Sequence, residues 1–151
     1  MPTVRASRTI AAPADELWEL VSDPHHLPRW WPRVARVEDV RDGAFTEVMK
    51  TKKGKVVRAD FDVVCVDAER RTLRWEQRVA GTPFERVLLS SATELSLAAA
   101  GGETGEATAV TLELRQTPGR QLPRFGGGYV MRRAGAKVLR EALDGLERIS
   151  V

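Results

Sequence analysis

Few residues of this 151-residue chain combine reactivity with a spacing that chemistry could use. His25 and His26, the two histidines, have the ordinary pKa nearest neutrality, so either is a candidate general acid or base. The only carboxylate that spacing fixes beside them is Asp23, and a histidine after Asp-Pro reads equally as a cap or surface residue. Asp60 and Asp62 stand two apart on one strand face, as a carboxylate pair would. Arg58 and Arg74 nearby argue instead for a solvated charge lattice. Cys65 is the single cysteine, which excludes an internal disulfide. In an apolar, strand-like run it is expected to be a buried and inert thiol. No HExxH or CxxC spacing is present, so a zinc site is not expected. The glycines at 126–128 lack the lysine of a phosphate loop. With no nucleophile triad either, neither a metal nor a cofactor is expected.

The remaining chemistry is that of a binding site. Leu88 and Phe84 share a strand face with Arg86. If that face turns inward, Arg86 needs a buried partner and would anchor a carboxylate, enolate or phenolate on a ligand. If the strand overshoots the sheet or its phase is reversed, Arg86 is exposed. Gln77, on the preceding strand, either hydrogen-bonds inside the same cavity or sits at its open end. Tyr129 begins the last helix and either turns its hydroxyl into a cavity mouth or packs on the rim, flanked by Phe125 and Met131. Trp30 and Trp31 are adjacent and cannot point the same way. One plugs the core, and the other faces a cavity, a rim or solvent as an aromatic lid. Trp18 reads as core. The expected wall is apolar, with Phe61, Trp75, Leu88 and Leu112 among its members. The ligand set is thus Trp31, Phe61, Trp75, Gln77, Arg86, Leu88, Leu112 and Tyr129, with no catalytic residue assigned.

The elements that must position these residues follow from periodicity. Residues 3–10 alternate in part, with Arg8 falling on the face of Val4, Ala6 and Ile10, which suggests an edge position or a local irregularity. Pro13 opens a short helix over 14–21, with Asp15 and Glu16 in its first turn. Residues 25–32, bracketed by Pro24 and Pro32 and interrupted by Pro28, allow a helical turn or two. Strands are then expected at 34–40, 44–50, 56–66, 72–79, 84–100 and 108–116. A bulge near 90–92 would reconcile the two phases of the long strand. Glycines 101, 102 and 105 suit a hairpin tip. From about 125 to 149, Met131, Ala134, Val138, Ala142, Leu146 and Ile149 recur three or four apart, which marks a long amphipathic helix beginning as late as 127 or 129. No helix separates the later strands, so the sheet should be antiparallel, with one face covered and one wet. The expected fold is α+β: a curved antiparallel sheet of about seven strands around a long C-terminal helix, with two short helices after the first strand.

The chain is long enough for one domain with a real core, spanning residues 1–151. Its 24 Lys and Arg against 21 Asp and Glu are interspersed, and the basic stretches 50–55 and 120–137 lack stacking aromatics. Nucleic acid is therefore not an expected partner. No stretch has the length of a membrane span, and the N-terminus lacks the apolar core of a secretory peptide, so a cytoplasmic protein is expected. A homodimer through edge strands or the short helices stays open.

The segment IAAPADELWELVSDPHHLPRWWPRV, the strands carrying DFDVVCVD and LRWE, and the final helix together resemble the START-like or Bet v 1-like (SRPBCC) superfamily. Within it they are most similar to bacterial polyketide cyclase/dehydrase and lipid-transport proteins. The resemblance runs over essentially the whole chain and implies a helix-grip fold around an elongated, mostly apolar cavity. It implies binding of a small hydrophobic or amphipathic ligand, whether polyketide, aromatic or lipid-like. Cyclase or dehydratase activity would then come from positioning a flexible chain and stabilising its enolate. A passive carrier and a non-catalytic interaction module are the alternatives, because this fold hosts many activities.

Overall fold

Alternating strand faces and one long amphipathic stripe produce the expected two layers. The computed structural model describes residues 3–101, 106–120 and 126–150. The elements run β1 (Thr3–Ile10), α1 (Ala14–Val21), a 3-10 turn (Pro24–His26), α2 (Leu27–Trp30), β2 (Val34–Arg41), β3 (Ala44–Lys50), β4 (Val56–Asp67) and β5 (Thr72–Gln77). A second 3-10 turn (Pro83–Arg86), β6 (Leu88–Ala99), β7 (Thr108–Pro118) and α3 (Gly127–Ser150) complete the chain. The expected hairpin tip beyond Gly101 and Phe125 ahead of α3 lie outside the described residues.

Seven strands form one antiparallel sheet in the order β1-β7-β6-β5-β4-β3-β2. The first two strands in sequence therefore occupy opposite edges, and the segment holding α1 and α2 carries the chain between them. α3 lies across the inner face as the gripped helix. The core between them includes Ile10, Leu73, Leu95, Leu97, Val110 and Leu112 from the strands, and Leu139, Ala142, Leu143 and Leu146 from α3. Each fully buried leucine contributes about 2 kcal/mol by removal from water. Arg8 does face inward, opposite Val110, but from an edge strand. There its guanidinium ion-pairs with Asp144 of α3 and lies 3.7 Å from Glu147.

Two expectations fail for local reasons. The long strand expected over 84–100 begins only at Leu88. Thr82 caps a 3-10 turn by accepting from the Phe84 amide at 3.2 Å, and Pro83 supplies its preset φ. The register shift then falls between Leu88 and Ser90, slightly earlier than the expected bulge. Cys65 is exposed rather than buried. A register shift between Val63 and Cys65 pairs Cys65 with Arg74 and reverses the strand's phase from that point.

α3 approaches its neighbours most closely at two glycines. A Cβ on Gly145 would lie 2.3 Å from the Trp30 carbonyl oxygen, and one on Gly135 would lie 3.0 Å from Val4 Cγ2 and 3.2 Å from Leu114 Cδ2. Replacing an interior helical glycine by alanine ordinarily gains up to about 1 kcal/mol of propensity. At Gly145 the clash is with backbone that cannot rotate away, so overpacking outweighs that gain. Gly145→Ala should lower stability by a net amount of about 2 kcal/mol in denaturant unfolding. An unchanged or raised midpoint would show that α2 and α3 separate without cost.

Candidate functional site

The upper half of α3 carries small residues where the lower half carries leucines. Ala134, Gly135 and Val138 therefore face the sheet without filling the space, whereas Leu139, Leu143 and Leu146 do fill it. The result is a partly open cavity of about 190 Å³ between the helix and β3 to β7. Alternation delivers its wall: Glu47 and Met49 from β3, Phe61 from β4, Trp75 and Gln77 from β5, Ser91 and Thr93 from β6, Leu114 and Gln116 from β7. Trp31 closes one side.

The tryptophan pair divides its work. Trp30 is 2% exposed and plugs the core, and α2 ends there. Trp31 takes an extended backbone after the helix and turns into the cavity. Its ring meets Trp75 edge-on, with centroids 5.7 Å apart and planes at 74°, and meets Trp30 at 5.4 Å and 82°. Edge-to-face contacts of this kind are favourable and fix ring orientation.

Polarity rises along the grip. The rows Leu73–Leu95–Leu112 and Leu97–Val110 are wholly apolar. One turn of pleat further on, Thr93 lies between Trp75 and Leu114, and Ser91 lies beside Gln116. The Gln116 amide donates to Ser91 Oγ at 3.4 Å, a long contact. Gln77 Nε2 is buried with no hydrogen-bond partner among the described residues. Glu47 is 2% exposed. Among the described residues its carboxyl has no hydrogen-bond or ion-pair partner, so burial alone pushes its pKa up to about 8. Glu47 is therefore a neutral acid at neutral pH.

Of the residues expected to bind ligand, the structure brings together Trp31, Phe61, Trp75 and Gln77 around this cavity. The other four lie elsewhere. Arg86 is exposed at the end of the 3-10 turn, because the strand that would have turned it inward has not begun. Leu88 packs in a separate small cluster with Val79 and Met131. Leu112 is fully buried core below the cavity. Tyr129 is 60% exposed on the outer side of α3. The residue that the sequence reading missed is Glu47. Its signal was the stripe Phe45, Glu47, Met49, an acid flanked at period two by inward apolar side chains.

The other candidates stay outside the site. His25 Nδ1 lies 2.8 Å from Asp23, whose carboxylate also accepts from the His25 amide at 3.0 Å, so this cluster caps the 3-10 turn. Asp62 receives two bonds from Arg78, at 2.9 and 2.5 Å, and these hold its carboxyl below the ordinary range. Asp60 accepts from Thr46 at 2.6 Å. A second depression of about 160 Å³ lies beyond the stacked Phe45 and Phe61 rings, rimmed by Asp39, Arg41, Asp60 and Arg78. Asp60 and Arg78 are already engaged, so the cavity under α3 is the better candidate. Among the described residues no three His, Cys, Asp or Glu side chains gather to hold a metal. No described helix is long and apolar enough to cross a membrane.

Glu47 makes stability depend on pH in a calculable direction. Below about 4.5 the group is protonated in both folded and unfolded chains. Between about 4.5 and 8 only the unfolded chain ionises, so rising pH drains stability by up to about 1.4 kcal/mol per unit. Glu47→Gln should flatten that slope in denaturant titrations from pH 5 to 8, gaining most over wild type at the alkaline end. Parallel slopes would mean that Glu47 has a partner in solution.

Residues 1–150 match the family model for polyketide cyclase/dehydrase and lipid transport. No curated protein matches the chain. Among solved structures, the protein TTHA0849 from Thermus thermophilus is similar at 25% identity and TM-score 0.73, over 97% of this chain and 95% of that one. A START superfamily protein from Mycobacterium smegmatis is similar at 15% identity and TM-score 0.77, over 98% and 96% of the two chains. The di-domain ARO/CYC BexL from the BE-7585A biosynthetic pathway aligns at 21% identity and TM-score 0.79. That alignment takes in 98% of this chain and 46% of BexL, so this chain spans about half of it. With the helix-grip fold and the match over residues 1–150, the chain belongs to the polyketide cyclase/dehydrase and lipid-transport family.

Proposed function

We propose that this protein binds a small amphipathic molecule with one or two rings in the cavity beneath α3, its rings against Trp31, Phe61 and Trp75 and its polar end toward Glu47 and Gln77. The observation that carries this reading is a cavity walled by aromatic groups into which Glu47 and the buried Gln77 amide turn without a hydrogen-bond partner among the described residues. Buried polar groups are ordinarily satisfied, and a vacancy of that kind is what a ligand fills.

Volume narrows the guest. An engineered apolar cavity of about 150 Å³ takes a benzene, and drug-sized sites run from about 300 Å³ upward. At about 190 Å³ the cavity suits a small aromatic or alicyclic compound better than a long acyl chain. That favours the aromatic and polyketide-derived part of the family's range over lipid carriage. Activity, if it accompanies binding, would be positional, because the wall offers shape and hydrogen bonds rather than a nucleophile.

Ala134 lines the cavity from an exposed helical position, so Ala134→Phe fills it without disturbing the leucine core. Calorimetric titration with indane, indole and 1-indanone should give saturable binding to the wild type. In the Ala134→Phe variant, affinity should fall at least about tenfold, the loss of roughly 1.4 kcal/mol. Equal affinity in both proteins would move the ligand site elsewhere.

A further inference from the structure

The cavity holds a buried acid where a strand-borne arginine would have supplied a cation. Among its described lining residues Glu47 is the only titratable group, and none is Arg, Lys or His. Glu47 stands between Val37 of β2 and Ala59 of β4. Arg36, Glu38, Arg58 and Asp60 flank those two positions on the opposite face, where Arg36 and Arg58 both bond Glu38 and Asp60 accepts from Thr46. From α3, Ala134, Gly135 and Val138 face the cavity, while Lys137 lies 3.9 Å from Glu141 and is exposed. Among the described residues nothing positive therefore compensates a carboxylate at this position. Across β4, Gln77 pairs with Phe61, two positions along from Ala59. Two strand spacings and this two-residue offset put the backbones of Glu47 and Gln77 about 12 Å apart on the sheet. Two extended side chains and one guest group are of the size to span that gap.

We propose that Glu47 and Gln77 together form a hydrogen-bond donor site for carbonyl oxygen, so that the cavity selects small cyclic ketones and rejects carboxylic acids of the same shape. This deepens the preceding reading and rests on it. Gln77 offers an amide hydrogen with no acceptor among the described residues. Burial keeps Glu47 protonated to about pH 8, which makes it a second donor. A carbonyl oxygen satisfies both donors. An anionic guest would meet no cation among the described lining residues and, above that pH, a like charge.

The test compares 1-indanone, indane, indane-1-carboxylate and 2-aminoindane by calorimetry between pH 6.5 and 9.5. Wild type, Glu47→Gln and Glu47→Leu are used, each first checked for cooperative unfolding. At pH 6.5 the ketone should bind wild type roughly tenfold tighter than indane, and the acid should bind more weakly than indane. The ketone's advantage should fade as pH rises past about 8. Glu47→Gln, which keeps a donor but cannot titrate, should restore the preference at pH 9.5. Glu47→Leu should cut the ketone's preference over indane to the smaller part that the Gln77 amide supplies. An undiminished ketone preference in Glu47→Leu overturns the proposal. So does tightest binding of 2-aminoindane with loss in Glu47→Gln, which would make Glu47 a counter-ion. Indane binding without ketone preference sinks this proposal alone, whereas no binding by any probe sinks the cavity reading as well.

Discussion

The contact between α3 and the backbone of Trp30 at Gly145 is the constraint that the rest of the molecule is arranged around. With no side chain there, the helix axis comes close enough for Leu139, Leu143 and Leu146 to interlock with the inner face of the sheet. Gly135 also brings the helix near the Val4 and Leu114 side chains, about three turns earlier. The helix is thus held close at both points, and the space beside Ala134 and Val138 comes from their small side chains rather than from a tilted element. Close-packed interiors rarely leave such a volume empty.

Inside and outside follow different electrostatic rules. On the wet face, Arg78 meets Asp62, Arg58 meets Glu38 and Arg115 meets Glu113, at sites where each pair contributes little but solubility is secured. On the gripped face Glu47, the one acid among the described cavity residues, has no counter-charge among them and is neutral at physiological pH, which carries a standing cost to the fold.

Much of this was legible in the alternation of apolar residues. Thr3–Ile10, Ala14–Val21 and Ala44–Lys50 fall where periodicity places them, because each is flanked by turn or helix-start chemistry that the chain cannot evade. Arg86 and Cys65 were misplaced for one shared cause, a phase carried past a point where it breaks. Arg86 was placed by extending a strand backward through Thr82-Pro83, a pair that caps a 3-10 turn. Cys65 was placed by extending β4 through a bulge that leaves no mark in residue type. Tyr129 depended on helix rotation, which is set by the glycine contacts and not by the apolar stripe alone. Glu47 was readable but counter to expectation, since an acid in a strand is usually taken as its wet side.

The cavity is also asymmetric in a way that bears on stereochemistry. Its helix side is aliphatic and nearly featureless, formed by Ala134, Gly135 and Val138, while its sheet side carries Trp75, Gln77 and Thr93. A planar guest in such a slot has one face against hydrocarbon and the other against aromatic and polar groups. Its two prochiral faces would then cease to be equivalent, because each meets a different wall.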